Sequence, residues 1–251
     1  MKLSTLYSLY GDRIVGGFLS KNKRYKVKGD WIGTPLSLMN KSKTEESEEK
    51  IEMAKDLAGY FHLIPWIMFA AVSGSVSFGS AQKYSDIDIF LVVAKNRLWI
   101  TRGLEEVLFN ILGVRKVLWR KGTKNKLCIN FYTSENNLSL DIKKKHRFLT
   151  ALETVMLKPI FKESYHHLLM SKNRWVQKYF PGLEIKRPKQ KSFPRLIILS
   201  QIFDILDLLA MLLQLGFMKG MGHSTKNSTL KRDRITFFDQ NEKWERRTEV
   251  I

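Results

Sequence analysis

The chain has 251 residues, 44% of them hydrophobic and 27% charged, with a formal net charge of +19. That length and balance exclude global disorder and leave room for one large domain, or a catalytic domain with a helical extension. The positive charge favours anionic partners, whether nucleotides, nucleic acid or lipid headgroups, although basic residues spread along a chain also make an ordinary solvated surface.

The single cysteine, Cys128, excludes an intramolecular disulfide. No Cys/His cluster has zinc-ligand spacing, and the first residues lack the apolar core and cleavage site of a signal peptide. A cytoplasmic protein is therefore expected.

In chain order, a Gly/Lys-rich opening is followed by a polar run, 40–50, in which Thr44 or Ser47 is expected to cap a helix reaching about Phe61. Pro65 ends that helix, and the apolar run 66–72 has the length of a buried strand. A small, polar stretch, 73–85, leads to the β-branched run Ile87–Val93, expected as a central strand. Residues 97–112 show helical periodicity, with Gly113 as the C-cap. Two further strands, 114–119 and 127–132, are expected on either side of a turn at 121–125. Beyond residue 143 the pattern becomes helical, at 148–157 before Pro159 and at 164–180 before Pro181.

A Lys/Pro-rich linker, 186–194, then precedes the apolar segment 196–218. Its length approaches a membrane span, but Asp204 and Asp207 lie inside it, and an aspartate near a bilayer centre costs about 2.5 to 3.5 kcal/mol. Residues three apart share a helical face, so an amphipathic helix packed on the catalytic domain is expected, with a membrane segment as the alternative.

The chemistry concentrates at Gly74-Ser75 and Asp86-Ile87-Asp88. Residues i and i+2 of a strand point to one face, so Asp86 and Asp88 present paired oxygen ligands suited to Mg²⁺ or Mn²⁺. Gly74 allows close backbone approach to a phosphate, and Ser75 adds a hydroxyl and amides at a helix start. A Gly-Ser or an Asp-x-Asp alone is common; their joint occurrence between two buried-type strands is much less so.

This Gly-Ser, then Asp-x-Asp arrangement resembles the signature of the DNA polymerase β nucleotidyltransferase superfamily. Gly79 and Ser85 sit where its small bacterial and archaeal members usually have glycine and serine. The motif covers about a tenth of the chain, and segments at 97–102, 126–131 and 173–176 resemble uncharacterised nucleotidyltransferase-domain proteins. The resemblance implies an α/β (α+β) fold: an N-terminal segment, 1–49, a core of small mixed sheet and flanking helices, 50–142, and a helical C-terminal region with a basic tail, 143–251.

It also implies Mg²⁺-dependent transfer of a nucleoside monophosphate from an NTP such as ATP to an acceptor hydroxyl, on a small molecule, protein or RNA. Asp86 and Asp88 would bind metal, and Gly74 and Ser75 the triphosphate. The superfamily's third carboxylate falls at Asn130, a neutral residue, with Glu135, Asp141 and Glu153 as substitutes. That substitution admits a catalytically weakened nucleotide- or RNA-binding module of the same fold. Arg97, Arg102 and Lys126 are candidates for triphosphate oxygens, a salt bridge to Glu105 or Glu106 being the plainer account of Arg102. Trp99 and Trp175 are expected mainly in the core, with base stacking as the alternative.

Overall fold

The computed structural model describes residues 26–28, 31–33, 41–115, 125–140, 147–186, 197–220 and 229–237. The runs expected as strands are apolar on both faces, and they form the middle of a mixed sheet. β3 (Ile67–Val72) pairs antiparallel with β4 (Ile87–Val93), and β5 (Leu127–Ser134) lies parallel to β4. β6 (Lys158–Phe161) adds to β3, β8 (Arg234–Thr236) to β5 and β7 (Thr229–Leu230) to β8, giving the order β6-β3-β4-β5-β8-β7. A separate two-stranded sheet pairs β1 (Lys26–Lys28) with β2 (Trp31–Gly33). The fold is mixed α+β.

Alternation along β4 divides the core. Ile87, Ile89 and Leu91 face α1 (Lys41–Leu57), the 3-10 helix Ala58–Leu63 and a third helical layer, through Ala54, Phe61, Trp99 and Phe109. Phe90 and Val92 face the other way, onto Leu157 and Leu169. After β3 comes the single turn α2 (Gly74–Ser77), and after β4 comes α3 (Leu98–Ile111). Gly113, at φ +67°, ends α3: its N–H donates to Asn110 O at 3.1 Å and that of Val114 to Phe109 O at 3.0 Å.

Several expectations change. The region 143–251 supplies both edges of the sheet as well as α4 (Arg147–Met156) and α5 (Ser164–Lys172), so a boundary at residue 142 does not separate two packing units. Pro159 does not merely end a helix. It sits in β6 opposite Ala71, on an edge strand, where a missing N–H is tolerated. The helix expected over 164–180 breaks at buried Asn173 into α5 and the 3-10 helix Arg174–Lys178. The Asn173 amide bonds Leu140 N, Leu138 O and Leu169 O, at 2.7, 2.7 and 2.9 Å, which ties the break to the chain leaving β5. α1 starts ahead of Thr44 and Ser47, and Ser47 lies in its interior. Of the strand expected at 114–119, Arg115 bridges to Leu127 and residues 116–124 lie outside the described residues.

The apolar segment forms α6 (Ile197–Gly220), which does pack on α3, by a face that sets Asp204, Asp207 and Gln214 beside Ala210, Met211 and Leu215. Asp204 pairs with the buried Arg97 and accepts from Asn96 Nδ2 at 3.1 Å. Gln214 donates to Trp99 O at 2.8 Å and accepts from Arg102. Asp207 is fully buried, and its Oδ1 accepts from the N–H groups of Trp99 and Ile100 at 2.8 and 3.0 Å. It thereby satisfies two of the orphan donors at the N-terminus of α3, a cap supplied from more than a hundred residues away.

Burial pushes the Asp207 carboxyl above the usual aspartate range, against the backbone N–H groups that favour its charge. Folding therefore binds its proton more tightly than the unfolded chain does. That contribution is complete below the ordinary aspartate pKa and is lost as pH rises through the raised value. Asp207→Ala is expected to cost about 2 kcal/mol by orphaning two N–H groups. Asp207→Asn keeps an acceptor and removes the desolvated charge, so its stability relative to wild type should improve from pH 4 to pH 7. Urea denaturation at both pH values measures this.

Candidate metal and nucleotide site

β3 ends by turning into α2 at Gly74, and β4 opens beside it with Asp88, so the two halves of the motif meet across one strand pair. The contact is close. Gly74 has φ +64°, and a Cβ there would lie 2.3 Å from Asp88 Oδ2. Glycine is required for both the backbone conformation and the space. The strand is held at the same point by Ser73, whose N–H donates to Asp88 O at 2.8 Å.

Asp86 and Asp88 do share a face, both half-buried. Cys128, opposite Asp88 in the parallel pairing with β5, joins them: one ligand atom from each of the three residues lies within 4.8 Å of the others. Two carboxylates at this separation suit a divalent cation, and the thiol adds a softer donor that Mg²⁺ does not favour.

Asn130, expected in place of a third acid, lies beside Asp88 and acts there as a donor, Nδ2 to Asp88 Oδ1 at 2.6 Å. A bulge explains its aim. Ile129 pairs with Ile89 and Phe131 with Phe90, leaving Asn130 as an extra residue on β5. Asn130 and Phe131 both reach the Asp88 face, since Phe131 packs on Phe90 with ring centroids 4.8 Å apart. The amide orients the carboxylate and adds no charge.

The 78–86 connection between the two halves is clamped by α1. Ser47 Oγ accepts from Ala81 N at 2.9 Å, and buried Lys50 pairs with Glu46 at 2.9 Å and donates to Asn125 Oδ1 at 2.7 Å and Lys83 O at 3.4 Å. The sequence marks Ser47 only as a helix cap and gives Lys50 and Cys128 no part in the site. A period-2 reading of β5 from Asn130 would have put Cys128 on the same face, and the i, i+3 spacing of Ser47 and Lys50 marks one side of a helix.

Other candidates are placed elsewhere. Arg97 and Arg102 follow the far end of β4, and at about 3.3 Å per residue Asp88 and Val93 alone are separated by roughly 17 Å. Arg97 is bound to Asp204, while Arg102 pairs with Glu106 at 3.1 Å and covers the ring of Phe237 at 5.2 Å. The salt-bridge account of Arg102 holds, and both residues join α6 to α3. Lys126 borders the site through its backbone, its O accepting from Ile87 N at 2.9 Å, but its Nζ donates to Gly113 O at the end of α3.

Glu135 accepts from Lys95 N at 3.1 Å, also at the far end, Glu153 lies on α4, and Asp141 is outside the described residues. Trp99 is fully buried, with Nε1 on Lys231 O at 3.1 Å, and Trp175 lies under the Arg147 guanidinium, so both serve packing.

Gly74→Ala and Gly79→Ala should each cost about 1 to 2 kcal/mol from the left-handed backbone. Only the first meets Asp88, because a Cβ at Gly79 would have nothing within 4 Å. Thermal melts with and without Mn²⁺ are expected to show a metal-induced rise in Tm that Gly79→Ala keeps and Gly74→Ala loses.

No protein-family model, curated protein or solved structure matches this chain.

Proposed function

We propose that the chain is a metal-dependent nucleotidyltransferase, moving a nucleoside monophosphate from an NTP, with ATP the first candidate, to an acceptor hydroxyl. The observation that carries the reading is the fit of Gly74 against Asp88, where an added Cβ would meet the carboxylate oxygen at 2.3 Å and displace it. An energetically costly glycine turn beside paired carboxylates has a use if a phosphate must approach both the backbone and a metal.

In this reading Asp86 and Asp88 hold the cation, Mg²⁺ or Mn²⁺, which when bound neutralises the triphosphate and favours the ionised acceptor. Gly74 and Ser75 orient the triphosphate through the N–H groups and hydroxyl of the turn. Asn130 fixes the rotamer of Asp88, and Ser47 and Lys50 hold the connection that carries Asp86 to the site. The acceptor oxygen forms a bond to the α-phosphorus as the α–β bridging bond breaks, the hydroxyl proton passes to water, and pyrophosphate leaves. The resemblance to the polymerase β superfamily supports this assignment. A small molecule, a protein side chain and an RNA end all remain acceptors of the right chemistry.

One observation favours a second reading, a nucleotide-binding module with weakened chemistry. The amide of Asn130 occupies one oxygen of Asp88 and brings no third negative charge.

The test is labelled-NTP turnover in cell extract with Mg²⁺ or Mn²⁺, beside nucleotide affinity of the purified protein. Asp86→Asn and Asp88→Asn are each expected to lower turnover at least about a hundredfold and to remove the metal dependence of nucleotide binding. No turnover, with nucleotide affinity indifferent to both substitutions, would sink both readings; no turnover with metal-dependent binding selects the second. Asn130→Asp sets a third carboxylate against Asp88, so it should lower Tm without metal by like-charge repulsion and raise metal affinity. A Mn²⁺ titration followed by Tm reads both effects.

A further inference from the structure

α6 seats a mixed face on the domain. Asp204, Asp207 and Gln214 point inward and are bound by Asn96, Arg97, Trp99, Ile100 and Arg102, beside Ala210, Met211 and Leu215 packed on the core. Its outward face is apolar: Ile205, Leu209, Leu212, Leu213 and Phe217 are 61, 49, 56, 75 and 66% exposed. They recur at three- and four-residue intervals, so they form one continuous stripe. Within the apolar window Gln201–Gly220 only 11% of the residues are buried. Single exposed leucines are ordinary, but a whole helix face of them marks a docking surface.

The surrounding charge selects the occupant. Immediately before α6, residues 186–195 contain Lys186, Arg187, Lys189, Lys191 and Arg195 and no acid. After it, 219–232 contain Lys219, Lys226, Lys231 and Arg232, again with no acid. An apolar stripe within so basic a stretch of sequence matches the interface of an anionic bilayer, where acyl chains take the stripe and the anionic headgroups attract the positive chain. A second copy would bring the same cations and another +19 against them. A transmembrane orientation would pull Asp204 and Asp207 from the partners that satisfy them and carry α3 with them.

We propose that α6 lies in the plane of an anionic lipid surface, with its Leu209/Leu213/Phe217 face among the acyl chains. Asp86 and Asp88, at the opposite end of β4 from the Arg97–Asp204 contact, are left open to solution in this orientation. The proposal stands independently of the chemistry assigned to that site.

The experiment is vesicle sedimentation of the full-length protein. Pelleting is expected with phosphatidylcholine vesicles containing about a third phosphatidylserine and not with phosphatidylcholine alone, and raised salt should release the protein. Leu209→Glu combined with Leu213→Glu should weaken binding at least about tenfold with no fall in Tm, since both side chains are exposed. As a second measurement that avoids added charge, the extra fluorescence of Leu213→Trp over wild type should be quenched by acyl-brominated anionic vesicles. Failure of wild type to pellet overturns the proposal, whether sedimentation velocity then finds a dimer, with a second copy on the face, or a monomer, with the face covered by the chain itself. Undiminished pelleting of the double variant, or no quenching at Leu213→Trp, overturns it too. So does resistance of the bound protein to carbonate extraction, which would mean a spanning helix.

Discussion

A carboxylate in the middle of a sheet has to be satisfied, and the arrangement around Asp88 follows from that requirement. Its strand is otherwise apolar and enclosed on both faces, so an unpaired charge there would be costly. Gly74 leaves the carboxylate room, Asn130 donates to one of its oxygens, and Ser73 fixes the strand that bears it. Each of these features is otherwise unfavourable: a left-handed turn, a bulge, a polar side chain among Ile and Phe. Together they leave one polar notch, formed by Asp86, Asp88 and Cys128, in an otherwise closed sheet.

Around the hydrophobic clusters, long-range polar contacts fix how the helices sit on the sheet. Asp207 caps α3 from α6, and Arg97 pairs with Asp204 across the same contact. Glu105, pushed above the usual carboxylate range by burial, is shared between Arg115 and the Tyr132 hydroxyl, which joins α3 to β5. Such contacts cost desolvation and return specificity of placement. Here they fix the rotation of α6, which turns Leu209, Leu212 and Leu213 outward while Ala210, Met211 and Leu215 pack on the core.

The site and the helix thus divide the molecule. One end of β4 carries the groups suited to a cation and a triphosphate; the other carries the ion pair that seats α6. Arg97 and Arg102, attractive as triphosphate ligands because they follow the motif closely in sequence, belong to the second end. Residues adjacent along a strand and its following helix are separated in space by the length of the strand, and that distance reassigns them from binding to packing.

The strands β3, β4 and β5, the helix after β4, and the closeness of Gly74 and Asp86 to Asp88 were legible in the sequence by itself, because each depends on local periodicity or on a spacing within one strand-turn-strand unit. Asn130 was legible as a residue of the right strand but not as a donor, since its role depends on a bulge that only pairing with β4 defines. Cys128 and Lys50 enter through contacts to other segments, which no local pattern encodes. The added strands β6 and β8 are four and three residues long, too short to have a period, and exist because β3 and β5 offer unpaired backbone. The amphipathic character of α6 was evident from Asp204 and Asp207, but periodicity cannot say which face turns inward. Tertiary structure decided that, because the open N-terminus of α3 and the buried guanidinium of Arg97 needed acceptors, and Ala210, Met211 and Leu215 close the same face against the core.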